Sequence, residues 1–424
     1  MKVWRSAAAG LAWLFLACAA PPAHAQTLPS DPIEFGAGHV TVGGDVSATF
    51  SCATPIELSC GGDVGFFNYT DYAHNALRLF RVDVSAAVKA GPHFTVLSEV
   101  RSENISTVQP YALYLRVRPW SSKDFDIQVG RVPPTFGAFL RHSYANDNPL
   151  IGYPLAYQYL TTLRPDSLPA SAEELLKKKS TGWLVRYSVG DPTAQAGVPL
   201  VTAFRWDTGV QAHGTVGIVS ATAAITTGTV SNPLFKEDNG GRQLATRVEV
   251  RPVMGLVVGT SFAHGAFVSQ SAARDAVGAE ANEHSYAQTA WGGDVEYSHG
   301  YYLLRAETIV SAWRLPAAVA PPPRQVSIDD PLAAFSTSFE GRYKVLPRLY
   351  VAARFDRLMF SDLADATGIS QPWDAPVRRI EVGTGYSLQR NLILKLSYQY
   401  NTRDGGVIPT KKAKFGAAQL VYWF

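Results

Sequence analysis

The chain has 424 residues, of which 46% are hydrophobic and 17% charged, and its formal net charge is +3. So small a net charge gives no argument for nucleic acid or for any single class of charged ligand. After the N-terminal segment, no apolar stretch reaches the ~18 residues that a membrane-spanning helix needs. The rest of the chain is therefore either soluble or a β-barrel, because only helices and closed barrels satisfy their backbone hydrogen bonds inside lipid.

Residues 1–25 have the pattern of a signal peptide. Lys2 and Arg5 form a short basic region, an apolar run covers 7–20, and small residues stand at the two positions that signal peptidase reads, Ala23 and Ala25. We expect cleavage after Ala25 and export of the mature chain. Residues 26–37 then read as an unstructured leader, and 38–424 as one β-barrel.

Two cysteines remain after cleavage, Cys52 and Cys60, in a predicted loop over 51–70. A close pair of cysteines in an exported chain predicts a small loop disulfide. A metal site is the alternative, and it is disfavoured because no second Cys or His pair accompanies the two residues.

Apolar and polar residues alternate with a period of two along most of the mature chain, for example over 39–50, 75–89 and 392–401. Short turns alternate with long polar connections, at 269–286, 315–331, 361–376 and 402–412. This alternation is typical of a transmembrane antiparallel barrel, in which short turns face the periplasm and long loops face outward. A β-sandwich would show connections of more uniform length.

The last residues form an alternating strand whose one face carries Gly416, Ala418, Leu420, Tyr422 and Phe424. It resembles the C-terminal strand of Gram-negative outer-membrane β-barrels. The resemblance implies that this strand closes the barrel against the first one. It also implies that Leu420, Tyr422 and Phe424 form the closure signal that the barrel-assembly machinery reads.

About 17 segments read as strands, and a closed antiparallel barrel with both ends periplasmic needs an even number. We expect 16 strands; 18 is the alternative, if 153–163 adds one.

Charged residues recur on the polar face of these strands. Arg or Lys facing lipid at the bilayer midplane costs ~2–4 kcal/mol, so we expect these side chains to face an aqueous lumen. A channel wall of this kind would include Arg116, Arg118, Arg247, Glu249, Arg251, Arg305, Glu307, Glu340, Arg342, Lys344, Arg354, Asp356, Arg379 and Glu381. The alternative is a plugged lumen whose charges pair structurally.

A Pro-Pro pair at 133–134 ends one strand, and about 45 residues precede the next expected strand, at Gly182. The Gly-Arg…Pro…Phe-Gly pattern over 129–137 resembles porins of the phosphate-selective type. The resemblance implies an inward-folded loop over 133–180, with Arg131 and Arg141 at the narrowing. The lysines at 177–179 lie in a Glu-rich, helical-looking patch instead of a channel cluster, which argues against phosphate selectivity. A surface loop with solvated arginines is the alternative.

No hydrolase signature or phosphate-cradling glycine loop is present. Asn- and Asp-rich stretches at 146–148 and 237–240 read as turns rather than cation sites. The sequence predicts a porin-like channel for passive diffusion of small hydrophilic solutes or ions across the bacterial outer membrane, with no enzymatic activity, cofactor or metal. The alternative is a lipid-embedded barrel that serves as a docking scaffold or sheath for a periplasmic partner. Assembly of three copies is left open.

Overall fold

The structure is a computed structural model. It describes residues 29, 31–54, 59–60, 80–104, 108–203, 206–278, 286–315, 328, 330–407 and 411–424. The predicted signal peptide lies outside the described residues.

Sixteen antiparallel strands form one closed barrel. They are β1 Val40–Thr54, β2 Phe80–Lys89, β3 Phe94–Glu103, β4 Val108–Val117, β5 Phe125–Val132, β6 Asp207–Val216, β7 Val219–Thr226, β8 Gln243–Val253, β9 Leu256–Ala266, β10 Ala287–His299, β11 Tyr302–Trp313, β12 Leu332–Leu346, β13 Leu349–Phe360, β14 Val377–Gln389, β15 Leu392–Arg403 and β16 Lys412–Trp423. Each strand pairs with the next, and β16 pairs with β1. The prediction of 16 strands is confirmed.

Short and long connections alternate as predicted. At one end, β6–β7, β8–β9, β10–β11, β12–β13 and β14–β15 are joined by two residues each. The longest connection at the other end covers 133–206, between β5 and β6. The strand expected at Gly182 is wrong: this connection continues past it, and the next barrel strand begins at Asp207.

The last strand closes the barrel against the first, as the C-terminal pattern predicts. Their register runs from Asp45 opposite Trp423 to Thr54 opposite Lys414. Two further backbone hydrogen bonds, both 3.0 Å long, join Gly44 and Phe424 in the two directions. A Cβ atom at Gly44 would lie 2.7 Å from the Phe424 ring, so glycine leaves the space that this ring occupies.

The two faces of the wall have opposite chemistry. On β15, Leu394, Leu396 and Tyr398 are exposed on the outer side, whereas Lys395 and Gln399 are buried on the inner side. This pattern confirms the predicted division between an apolar outside and a polar inside.

Tyr350 lies near a strand end, where the aromatic residues of a membrane barrel often form a girdle at the lipid interface, but its side chain faces inward. The hydroxyl of Tyr350 donates a 2.8 Å hydrogen bond to the carbonyl of Pro149 in the β5–β6 connection. Its strand neighbour Val351 is exposed on the outer side. Strand parity therefore places Tyr350 inside, although its position near a strand end fits a girdle equally well.

Part of the expected leader is ordered against the barrel. Ile33–Phe35 forms a short strand that pairs with 40–42 of β1. Asp31 forms a 3.2 Å ion pair with Arg390 in the β14–β15 turn. An unstructured leader is therefore wrong for residues 33–35, because backbone pairing with the first strand orders them.

The first strand also extends farther than expected, into the predicted cysteine loop. Cys52 belongs to β1, and its Cα atom is the register partner of Cys60. The disulfide between them stays a prediction.

The described part of the chain contains three α-helices: α1 Leu155–Gln158, α2 Ala172–Leu176 and α3 Gln270–Val277. None of them has the length and apolar character that crossing a bilayer would require.

Deleting Phe424 should lower the amount of assembled protein, because it removes the terminal aromatic residue and both hydrogen bonds to Gly44. We expect less heat-modifiable, folded barrel in outer-membrane fractions. Any molecules that do fold should unfold at nearly the wild-type temperature. Normal surface levels of the truncated chain would contradict the role of Phe424 in closure.

Candidate functional site: the barrel interior

The 74-residue connection between β5 and β6, here called the inner loop (residues 133–206), occupies the inside of the barrel. It contains a 3-10 turn at Phe139–His142, α1, α2 and a two-stranded pairing of Ser167–Leu168 with Val189–Gly190. Pro133 and Pro134 end β5, because proline cannot donate a ladder hydrogen bond. The helical patch expected near 171–180 is present as α2, capped by the Ser171 hydroxyl.

Apolar side chains of the inner loop pack against one part of the wall. The loop contributes Phe136, Leu140, Ile151, Leu155, Tyr157, Tyr159 and Leu163 to this cluster. The wall contributes Ala245, Ala263, Ala290, Ile309, Ala334, Leu358, Val377 and Phe415, from β8 to β14 and from β16. Burial of these side chains fixes the loop on that side of the lumen.

A buried ion network holds the backbone of the inner loop at Gly152. Arg354 donates to the Gly152 carbonyl at 2.7 Å and to Glu381 at 2.6 Å. Glu381 in turn accepts a 2.9 Å hydrogen bond from the Gly152 amide. A Cβ atom at Gly152 would come within 2.7 Å of Glu381, so only glycine fits this contact.

Two more cations hold loop carbonyls nearby. Arg379 donates to the carbonyl of Tyr153 and, at 2.8 Å, to the Gln158 side chain. Lys395 donates to the carbonyls of Ala145 and Asn148. These wall cations act as anchors for the loop, because each is almost completely buried.

A second group of contacts lies along β8 and β11. Arg141 of the inner loop forms a 2.5 Å ion pair with Glu249. Glu249 also pairs with Arg247 on its own strand, at 3.0 Å. Glu307 accepts hydrogen bonds from the Ala138 amide, at 2.6 Å, and from the Tyr157 hydroxyl, at 2.8 Å.

His142 links the inner loop to β10. Its Nδ1 lies 2.6 Å from Asp147 of the loop, and its Nε2 lies 3.4 Å from Glu296 of the wall. Burial disfavours the charged imidazole, but the hydrogen bonds to Asp147 and Glu296 outweigh it and raise the pKa of His142. Arg305 also approaches Nδ1, at 3.2 Å. Arg305 and Arg354 both pair with Glu340, each at 3.2 Å.

Asp374, in the connection between β13 and β14, fastens two points of the inner loop. Its carboxylate accepts hydrogen bonds from the amides of Thr162 at 3.1 Å and Ser180 at 2.8 Å. Complete burial raises the pKa of Asp374 to about 6, against the opposing effect of these hydrogen bonds.

The predicted wall charges divide into two groups. Half of them face inward as expected but are buried in ion pairs beneath the inner loop, so the expected contact with bulk water is not found there: Arg247, Glu249, Glu340, Arg354, Asp356, Arg379 and Glu381. For these residues the structure matches the alternative reading of the sequence, in which inward-facing charges pair with one another instead of lining water. The sequence could not reveal this burial, since the same alternation describes a wall facing water and a wall facing a folded loop.

The remaining predicted residues are more accessible. Arg116, Arg131, Arg305, Glu307 and Arg342 are partly buried, and Lys344 and Arg251 are exposed.

Arg118 does not lie on a strand as expected. It follows the end of β4 and is exposed. Arg141 keeps 45% of its side chain accessible despite its ion pair. The lysines at 177–179 lie just after α2, where Lys179 hydrogen-bonds Gln371 at 2.8 Å.

A cavity of about 1020 Å³ remains inside the barrel, next to β3, β4 and β5. Its wall residues include Arg101, Tyr111 and Arg131, and Asp166 is among those from the inner loop. Asp238, in the connection between β7 and β8, also lines it. Sequence reasoning singled out Asp238 only as a turn residue.

Within the described ranges, no group of three or more His, Cys, Asp or Glu side chains is placed to hold a metal ion. Asp147 instead pairs with His142.

No protein-family model and no curated protein matches this sequence. Solved structures do match it. OmpF of Salmonella typhi, solved with daunomycin, has a TM-score of 0.55 at 12% identity, over 93% of this chain and 100% of that one. An anion-selective porin from Comamonas acidovorans has a TM-score of 0.53 at 10% identity, over 91% and 99%. The fold is that of outer-membrane porins. The trimer form of OmpT from Vibrio cholerae is also similar, with a TM-score of 0.51 at 12% identity, over 91% and 99%.

Substituting Gly152 with Ala should loosen the inner loop, because the added methyl group collides with Glu381 and Gln399. We expect a loss of about 1–3 kcal/mol in unfolding free energy, as for other overpacked sites, measured by urea titration in lipid. Gly293→Ala on β10 is the matched control, since open space surrounds that position. Equal stability of the two variants would contradict the anchoring role of Gly152.

Proposed function

We propose that this protein is a channel of the bacterial outer membrane through which small hydrophilic solutes or ions diffuse passively. The observation that carries the proposal is the cavity of about 1020 Å³ left between the inner loop and β3–β5 of a closed barrel. Solute size would be limited by the space that the loop leaves. Charge preference would come from the side chains along that space.

We infer a fixed constriction rather than a moving lid. The inner loop is fastened by apolar packing and by buried cations that hold its carbonyls, including Arg354 and Lys395. Opening such contacts would leave buried charges without partners, at a cost of about 3–5 kcal/mol for each broken pair. Diffusion through the remaining space needs no such opening.

We also infer that the protein performs no bond chemistry. The inward charges described above are used in ion pairs with one another or in hydrogen bonds to the loop backbone, as Arg379 and Glu381 illustrate. Anchoring therefore accounts for this charge cluster without a catalytic role.

Purified protein in a planar lipid bilayer should give discrete conductance steps, and the current should persist at low voltage because the constriction is fixed. A neutral sugar small enough for the cavity should enter proteoliposomes, whereas a large dextran should not. A folded barrel without conductance or uptake would contradict the channel. A co-purifying periplasmic protein would then favour the docking scaffold.

We further propose that three copies assemble through the outer face of β16, β1 and β2. Small side chains such as Ala48, Ala86 and Ala418 stand there beside valines such as Val82 and Val84, whereas Trp291 and Phe355 are exposed on other strands of the wall. A surface of small residues lets two walls approach closely. The similar OmpT structure was obtained as a trimer.

Ala48→Trp should disrupt this assembly, because the indole holds the walls apart. We expect a shift from trimer to monomer in native electrophoresis and light scattering. Ala353→Trp on the outer face of β13 is the matched control and should leave the trimer intact. A wild-type protein that is monomeric in lipid nanodiscs would reject the proposal.

A further inference from the structure

The inner loop closes the lumen unevenly. Its apolar cluster covers β8 to β14 and β16. On the adjoining side, Asp45 accepts a 3.1 Å hydrogen bond from the Asn146 amide, and Arg81 reaches the Tyr153 hydroxyl at 2.8 Å. Tyr144 of the loop donates to Glu99 on β3 at 2.7 Å. The large cavity lies beside the remaining stretch of wall.

Strands and loops contribute different charges to the cavity. Arg101, Gln109 and Arg131 come from β3, β4 and β5. Asp166 and Asp238 come from the connecting loops. Glu103 of β3 also lines the cavity, so the loops contribute carboxylates and the wall contributes charges of both signs.

Two of these charges are already neutralised. Arg101 pairs with Asp83 at 2.5 Å and with Glu99 at 3.6 Å, and its guanidinium carbon lies 3.6 Å from the Tyr111 ring centre. Asp166 receives two 2.9 Å hydrogen bonds from Arg164. Neither side chain leaves a full charge for a passing solute.

Asp238 differs from both. Its side chain is exposed, and no cationic side chain in the described part of the chain forms an ion pair with it. Two cations lie on its own loop: Arg242 is engaged by Glu237, and Lys236 is exposed. Arg131 has the strand parity of the outward-facing Val129, and its guanidinium carbon lies 5.4 Å from the centre of the Phe235 ring.

We propose that solutes pass through the barrel beside β3–β5 by way of this cavity, and that Asp238 gives the path a preference for cationic groups. This inference rests on the proposed channel function. It moves the selective charge from the buried wall residues to a loop residue outside the expected narrowing. The preference is for cations although basic residues outnumber acidic ones on the predicted wall.

The route can be tested with single cysteines and a trimethylammonium-bearing methanethiosulfonate. Gln109→Cys places a thiol in the cavity, whereas Ser336→Cys places one on β12, where the native side chain is 2% exposed. Reagent added to the open channel should reduce conductance quickly in the first variant only. The wild-type chain reports any reaction of the native cysteines. Rapid block of Ser336→Cys with no effect on Gln109→Cys would overturn the route.

The selectivity can be tested by the reversal potential in a KCl gradient at low salt. Asp238→Asn should reduce the potassium-to-chloride permeability ratio by about twofold to fivefold, the effect of one unit charge a few ångströms from an ion in water. Asp404→Asn removes another exposed carboxylate, between β15 and β16, and should change the ratio little. Equal shifts in both variants would reject a specific role for Asp238.

Different results would contradict the channel function, the route and the role of Asp238. A folded wild-type barrel that never conducts rejects the channel function itself. A conducting barrel whose Gln109→Cys variant resists the reagent keeps the channel but rejects this route. A barrel that conducts and is blocked at position 109, with unchanged selectivity in Asp238→Asn, keeps the route and rejects the charge assignment.

Discussion

Buried cations that hold backbone carbonyls are the contact on which the interior of this barrel depends. Arg354, Arg379 and Lys395 project from neighbouring strands and bind carbonyls of the inner loop between residues 145 and 153. Cations removed from water need charged or strongly polar partners, and the loop carbonyls and wall carboxylates provide them together. The loop position is thereby fixed by electrostatics as well as by apolar packing, and the remaining cavity lies at one side of the lumen.

The architecture could be predicted from the sequence because its signals are local. Alternation with a period of two, short turns between long connections and the aromatic C-terminal strand each depend on a few neighbouring residues, and together they give a 16-stranded closed barrel. The ends of the strands were harder to predict. Cys52, for example, lies in β1 although turn-forming residues follow it closely. The expected strand at Gly182 failed because apolar residues there pack inside the inner loop.

The site could be predicted only in part. Inward-facing charges such as Arg354 and Glu381 follow from strand parity, but their burial depends on a loop about 200 residues earlier in the chain. No local sequence pattern indicates a contact between residues so far apart in the chain. Gly152 and Asp238 carried no distinctive signal either, because glycine and aspartate in connections are ordinary turn residues. Gly152 matters because it contacts the wall carboxylate of Glu381, and Asp238 matters because it lines the cavity.

The seam between the first and last strands has a consequence for the order of events in the cell. Gln419 on β16 hydrogen-bonds Thr49 on β1 at 3.0 Å, across 370 positions of chain. Contacts so distant in sequence form slowly, because the entropy of closing the loop is lost before they stabilise anything. The barrel cannot close until β16 is available to pair with β1. Until then the exported polypeptide has an open sheet edge and uncovered apolar flanks, the state that most needs protection from aggregation.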